Sequence, residues 1–327
     1  MTVGVRPEQF APLAVMSRSG VDESVHFGAV IGLNRDGSDA FAIGDPTVTI
    51  YPRSSTKPLQ ALAMVRAGLT LPPELLALVC ASHNGEDVHL DGVRRILAGA
   101  ELDESALGNT AGHPLDVESQ QQAIREGVAK SPLQMNCSGK HAGMLATCKI
   151  NGWSLDGYLE ESHPLQRVIT DAIPTVAGEN ATAIGTDGCG APAHVVTLRG
   201  LARSFRSIAV GDAGDAGNQV YTAMSQHPYM VGGRGRHVTA MVSSVNGLFA
   251  KDGAEAVYAA ALPDGRAVAL KISDGSGRGE PTVLLAALAQ LGVDVSQVSD
   301  TVHEIALGHG KPVGRLRTVC FGDVAGA

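Results

Sequence analysis

The sequence predicts a mixed α/β fold of the α+β kind, with one central sheet formed from both chain ends and a helical lobe inserted between them. Three observations carry this. Short apolar and β-branched runs set off by turn residues lie between residues 26 and 51 and return after residue 255. The stretch between them is rich in helix formers. The chain is 327 residues long, 44% hydrophobic and 18% charged, which suits a soluble protein with a large core.

Residues 26–33 and 40–43 flank Asn34-Arg35-Asp36-Gly37 and predict a β-hairpin, because Asp-Gly supplies the positive φ of a tight turn. A β-branched run at 47–51 predicts a further strand. A helix is expected over 55–67, with Pro58 in its first turn, where a backbone N–H lacks an intrahelical partner in any case. Helices are expected at 73–80, 88–98, 118–129, 142–149, 165–173 and 217–226. Strands at 255–262 and 266–272 flank Pro263-Asp264-Gly265 as a second hairpin, followed by a helix at 281–291 and a last strand at 316–321. The chain reads as one domain over 1–327. A sheet lobe comes from 21–70 and 236–327, and a mainly helical lobe from 71–235. The first twenty residues read as a mobile lead-in.

Glycine is high, at 40 residues or about 12% against a usual share of roughly 7%, without the period of a collagen. Tight turns and close backbone approaches are the expected use. The net charge of -8, from 25 Lys+Arg and 33 Asp+Glu, excludes the usual basic footprint for nucleic acid. No run approaches the ~18 apolar residues of a membrane helix. The N-terminal stretch has no basic start followed by an apolar block, so no export signal is expected. The five cysteines are odd in number and widely spread. A reduced, cytoplasmic location without membrane or nucleic-acid partners is the expectation.

Five segments can carry chemistry. In Arg53-Ser54-Ser55-Thr56-Lys57 a serine precedes a lysine by three positions at a helix start, which puts both on one face. A neutral lysine there can accept the serine proton, and the helix dipole favours a developing alkoxide. The alternative is an N-capping Ser54 with a solvated Lys57. In Cys80-Ala81-Ser82-His83-Asn84-Gly85-Glu86, Ser82 and Asn84 alternate on a turn and can face a cleft, or can bond their own backbone. Lys271 ends a strand before Ser273-Asp274-Gly275 and can point into a site, or can guard a sheet edge. This order of Ser-x-x-Lys, Ser-x-Asn and a late strand lysine is loosely that of serine β-lactamases.

Asn136-Cys137-Ser138-Gly139-Lys140-His141 and Asp187-Gly188-Cys189-Gly190 each set one thiol in a glycine-flanked loop. Two thiolates with one nitrogen and a water would make an open zinc site, and the chemistry alone favours His141 or His194 as the nitrogen. Packed thiols are the alternative. Cys80, Cys148 and Cys320 read as core, and His26 and His237 as packed or surface residues. Gly232-Gly233-Arg234-Gly235-Arg236 can face an anionic group, but reads better as an exposed basic turn.

Taken together and in this order, RSSTK, CASHNGE, CSGKHAGM, DGCGAP and ALKISDG resemble the rhizobial-type L-asparaginases, the asparaginase II family, over essentially the whole chain. The resemblance implies a fold similar to serine β-lactamases and glutaminases, hydrolysis of L-asparagine to aspartate and ammonia, and a homodimer. It implies that Ser54 with Lys57 and Ser82 with Lys271 form two Ser–Lys pairs in one catalytic site, and that Arg53 and Asp187 lie near the substrate. It implies a metal, usually zinc, on Cys137, Lys140 and Cys189, which puts a lysine where the chemistry alone favours histidine. Rival readings are a related amidohydrolase acting on glutamine or a β-lactam, a non-catalytic amino-acid or zinc binder, and a zinc-hydroxide hydrolase.

Overall fold

The structure is a computed structural model that describes residues 4–298 and 302–321. The first hairpin forms as expected. β2 (Val21–Leu33) pairs antiparallel with β3 (Asp39–Ile43), and Gly37 in the turn has φ +87°. Residues 11–18, however, are not part of a mobile lead-in. β1 (Ala11–Arg18) pairs with β2 on one side and with the last strand on the other. Its second partner lies some three hundred residues away along the chain, so no local pattern announces that pairing.

From there the order is β4 (Thr49–Ile50), a 3-10 turn at Arg53–Thr56, α1 (Lys57–Arg66), α2 (Pro73–Val79), α3 (Asp87–Gly99), α4 (Val117–Arg125), α5 (Ser138–Asn151) and α6 (Pro164–Ala177). Then come β5 (Ala183–Thr186), β6 (Pro192–Thr197), α7 (Leu198–Ala209), α8 (Gly214–Gln226), α9 (Pro228–Val231) and α10 (His237–Ser244). The chain ends with β7 (Phe249–Gly253), β8 (Val257–Ala261), β9 (Ala267–Ile272), α11 (Glu280–Gln290), β10 (Ile305–Gly308) and β11 (Lys311–Thr318).

The large sheet has the order β10-β11-β1-β2-β9-β8-β7, with β3 also on β2, and so draws on both chain ends with the helices between. The expected mixed α/β architecture is therefore present. The run at 47–51 shortens to two residues and leaves that sheet for a small one of order β4-β6-β5. Pro52 and the 3-10 turn follow it directly and end its pairing. The last strand starts earlier than expected, at Lys311, where β10 folds back on it.

β8 and β9 are buried at every position, so this part of the antiparallel sheet is covered on both faces. α7 and α11 both pack on β9. α1 is the deep helix of the other lobe: Leu59, Ala61, Leu62, Ala63 and Met64 are all 2% exposed or less. Its N-terminus, with the Arg53–Thr56 turn, therefore opens in the interior. α5 begins hard against the end of α2. A Cβ on Gly139 would sit 2.4 Å from the Leu78 carbonyl oxygen, so only glycine permits that approach. This contact brings the Cys137 loop to the segment that follows α2. No helix among the described residues is long and apolar enough to cross a membrane.

Candidate active site

Arg53 opens the first motif in a left-handed conformation, with φ +54°. Such a backbone is costly for a residue with a Cβ and is held by surroundings. Here its side chain is held. Arg53 Nε and Nη2 each lie 2.7 Å from Asp187 Oδ1. Thr56 Oγ1 donates to the Arg53 carbonyl at 2.8 Å and closes the turn. Ser54 is half-buried on that turn, and Ser55 and Lys57 are buried. The helix begins at Lys57 rather than 55, with Pro58 in its first turn.

Lys57 Nζ, on a residue only 1% exposed, donates to the Ala81 carbonyl and to Ser82 Oγ, the latter at 3.1 Å. Among the described residues, the lysine of the Ser-x-x-Lys motif thus bonds the serine of the second motif and not Ser54. Ser82 arrives there because its segment is clamped on both sides. Ser82 N and Asn84 N donate to the Val231 and Gly232 carbonyls at 3.1 and 2.9 Å, and His83 N donates to the Asn136 carbonyl at 3.2 Å. His83 Nδ1 accepts from Gly85 N at 3.1 Å, so its proton sits on Nε2, which is 2.9 Å from Ser138 Oγ. Burial holds this imidazole well below its usual pKa, hence neutral. Asn84, two residues on, is held by other groups. Its amide donates to Glu86 Oε1 and the Arg234 carbonyl.

Lys140, three residues after Cys137, joins the two thiol loops. Cys137, Lys140 and Cys189 are 4%, 2% and 2% exposed, and Lys140 Nζ lies 3.1 Å from Cys189 Sγ. A hydrogen bond from the Cys189 thiol, with the Lys140 cation nearby, outweighs burial and pulls Cys137 well below the usual thiol range. Of the expected histidines, His194 is engaged elsewhere, its Nε2 2.8 Å from Thr170 Oγ1, whereas His141 bonds the Tyr158 hydroxyl through Nδ1 at 2.8 Å and leaves its buried Nε2 without a partner. Among the described residues no three His, Cys, Asp or Glu side chains form a metal-binding set, and the nitrogen that lies against a loop thiol is Lys140 Nζ. Tetrahedral zinc would separate a thiolate sulfur and a nitrogen by roughly 3.5 Å. The Lys140–Cys189 contact is close to that, and the donor set fits the ion. Lys140 is itself held above its usual pKa: burial opposes its charge, but Cys189 and Cys137 outweigh burial. A metal must displace that proton.

Asp187 sits in a tight loop, its N–H donating to the Ala191 carbonyl at 2.9 Å, with its Oδ2 3.8 Å from Cys189 Sγ. Burial would raise its carboxyl, but Arg53 and Lys140 hold it below the usual range. Arg53 also lines a cavity of about 430 Å³, with Ile50, Tyr51, Glu255, Lys271 and Ser273. Lys271 Nζ donates to the Glu255 and Ile272 carbonyls, both at 2.6 Å, and not to Ser82. Burial draws its pKa below the usual amine value. Arg53 is thus the hinge between the serine–thiol cluster and the Lys271 cavity.

Sequence reasoning passed over Lys251, Asp252 and Glu280, and set Arg236 aside as an exposed basic turn. Arg236 is in fact 21% exposed at its side chain and paired with Asp252 Oδ2 at 2.7 Å. Only Arg234 of that turn fits the expectation, half exposed and paired with Asp116 and Glu118. The available signal was the charged pair Lys251-Asp252 inside an otherwise apolar strand.

Of the comparisons with known proteins, the family model gives an assignment. The chain belongs to the L-asparaginase II family, whose profile matches residues 14–318. A comparison with curated proteins finds no match. Among solved structures, Mglu in its native form in 4.3 M NaCl is similar at 14% identity, covering 80% of this chain and 59% of that one, with a TM-score of 0.37. Native Mglu gives 13% identity, 81% and 62% coverage and a TM-score of 0.34. A β-lactamase from Mycobacterium bovis gives 16% identity, 81% and 94% coverage and a TM-score of 0.39. The chain spans about three fifths of the Mglu chains it resembles.

Proposed function

We propose that this protein hydrolyses L-asparagine to L-aspartate and ammonia through a serine ester. The observation that carries the reading is Lys57 Nζ at 3.1 Å from Ser82 Oγ, three residues from Ser54 and beside a strained, ion-paired Arg53. Ser54 Oγ attacks the side-chain amide carbon while Lys57 takes its proton. Backbone donors including the Ser54 N–H stabilise the oxyanion; such a donor typically contributes ~10²–10³ in rate. Ser82, already bonded to Lys57, passes a proton to the nitrogen as the C–N bond breaks and ammonia leaves. Lys57 gives its proton to Ser82, then takes one from the water that attacks the ester carbon and passes it to Ser54 as aspartate leaves. Arg53 binds the substrate α-carboxylate and Asp187 its α-ammonium. Lys271 adds a cationic or hydrogen-bonding group at the cavity wall.

Cys137, Lys140 and Cys189 would hold zinc, which when bound supplies a cationic anchor for polar substrate atoms. By resemblance to the family we propose a cytoplasmic homodimer. The alternative reading is a related amidohydrolase for glutamine or a β-lactam, with the same residues and a different pocket. Purified protein should release ammonia from asparagine faster than from glutamine and leave a chromogenic β-lactam intact. Binding of amino acid or zinc without turnover of any of the three would overturn the enzyme reading. Complete loss on chelation with full recovery on zinc would favour a zinc-hydroxide hydrolase instead.

A further inference from the structure

The structure assigns Asp252, with Arg236 and Lys251, the role of a positioning triad that fixes the two serine-bearing segments against each other. This deepens the amidohydrolase reading and rests on it for its effect on rate. The triad begins on β7, the last strand of the large sheet. Lys251 is 0% exposed and Asp252 7%. Lys251 Nζ donates to Asp252 Oδ1 at 2.6 Å, and Arg236 Nη2 donates to Asp252 Oδ2 at 2.7 Å. One carboxylate thus takes a cation on each oxygen.

Each end of this unit grips a different serine segment. Arg236 Nη1 donates to the Ser82 carbonyl at 3.2 Å. The Lys251 carbonyl accepts from Ser55 Oγ at 3.0 Å, next to Ser54. β7 is pressed so closely on the Ser54 turn that a Cβ on Gly253 would lie 2.4 Å from the Pro52 carbonyl oxygen. The dipeptide 251–252 is therefore the piece of structure that touches the Ser54 turn directly and the Ser82 segment through one guanidinium.

Stability alone is a poor reason for such a unit. Burying charges costs several kcal/mol per ion, and a buried ion pair often does no better than apolar residues of the same volume. A two-pronged arginine held on a fixed carboxylate does give direction, because the planar fork permits few orientations. Loss of that direction would let the Ser82 segment drift relative to Lys57. Displacement of a reacting group by about 1 Å can cost ~10²-fold in rate.

The test uses Asp252→Asn, which keeps shape and removes charge, and Arg236→Lys, which keeps charge and removes the fork. Crystal structures of both should have Ser82 Oγ moved out of hydrogen-bond distance of Lys57 Nζ. With asparagine as substrate, kcat should fall ~10²-fold while KM stays within about two-fold. A merely structural role would lower the melting temperature and leave kcat per folded molecule unchanged. A fall in kcat with Ser82 in place, or a displaced Ser82 with kcat intact, overturns the triad. If Asp252→Asn fails to fold, Arg236→Lys decides. If the unmodified protein releases no ammonia, the amidohydrolase reading falls, and the Ser82–Lys57 distance in the variants still decides the triad.

Discussion

Lys57 and Lys251 are both wholly buried amines, 1% and 0% exposed, yet they end against different partners. Lys57 meets uncharged oxygens, the Ala81 carbonyl and the Ser82 hydroxyl. Lys251 meets the carboxylate of Asp252. An amine on a hydroxyl has a group with which it can trade a proton. An amine on a carboxylate instead completes an ion pair, and burial lowers its pKa to about 8 against the pull of Asp252. The lesson is that the partner, more than the burial, tells a chemical lysine from an architectural one. Lys140 shows the third solution, an ammonium set against sulfur.

The comparison breaks most easily on the Lys57 side. Lys57→Met or Ser54→Ala should lower kcat by ~10³-fold or more with the fold retained, since positioned acid–base groups contribute ~10²–10⁴. Near-normal ammonia release from Ser54→Ala, with circular dichroism unchanged, removes it as nucleophile. The Lys140 side should speak in metal content. Cys189→Ser should lose most zinc measured by elemental analysis after dialysis. In the unmodified protein zinc affinity should weaken as pH falls, because protons compete for Lys140 and the thiols. Equal zinc retention by variant and parent would contradict that ligand set.

The Lys251 side should speak in stability against pH, a smaller effect. Glu280 is buried near Asp252 and His237, the latter at 3.5 Å. Burial first, and then the Asp252 charge, raises its pKa to about 9. The folded protein thus keeps a proton that the unfolded chain releases near its ordinary value of 4.5. That contribution to stability is full below the unfolded value and is lost as pH rises through the folded one. The melting temperature should therefore fall between about pH 5 and about pH 9.5, and Glu280→Gln should flatten the fall. An identical slope in the variant would exclude Glu280 as its source.

Much of this was legible in the sequence. The two hairpins and the drawing of one sheet from both ends followed from short apolar runs around Asp-Gly turns. The residues that meet at Lys57 and Lys140 came from four of the five short motifs, while Lys271 of the fifth lies at the neighbouring cavity. What spacing along a chain cannot give is arrival from elsewhere. Ser-x-x-Lys speaks of neighbours within one turn, so it suggested Ser54 for Lys57, whereas the end of α2 delivers Ser82 to it. β1 looked like a loose start because its pairing with β11 is remote. Arg236 looked exposed because its flanking glycines promise a turn, and nothing local reveals the Asp252 carboxylate waiting on β7.

The most direct measurement is a crystal structure of the protein soaked with L-aspartate, the product of the proposed reaction. The side-chain carboxylate should lie within hydrogen-bond reach of Ser54 Oγ, with Lys57 and Ser82 beside it and the α-groups on Arg53 and Asp187. Aspartate bound away from these groups, or Ser54 turned from the Lys57–Ser82 pair with ligand present, would contradict the account.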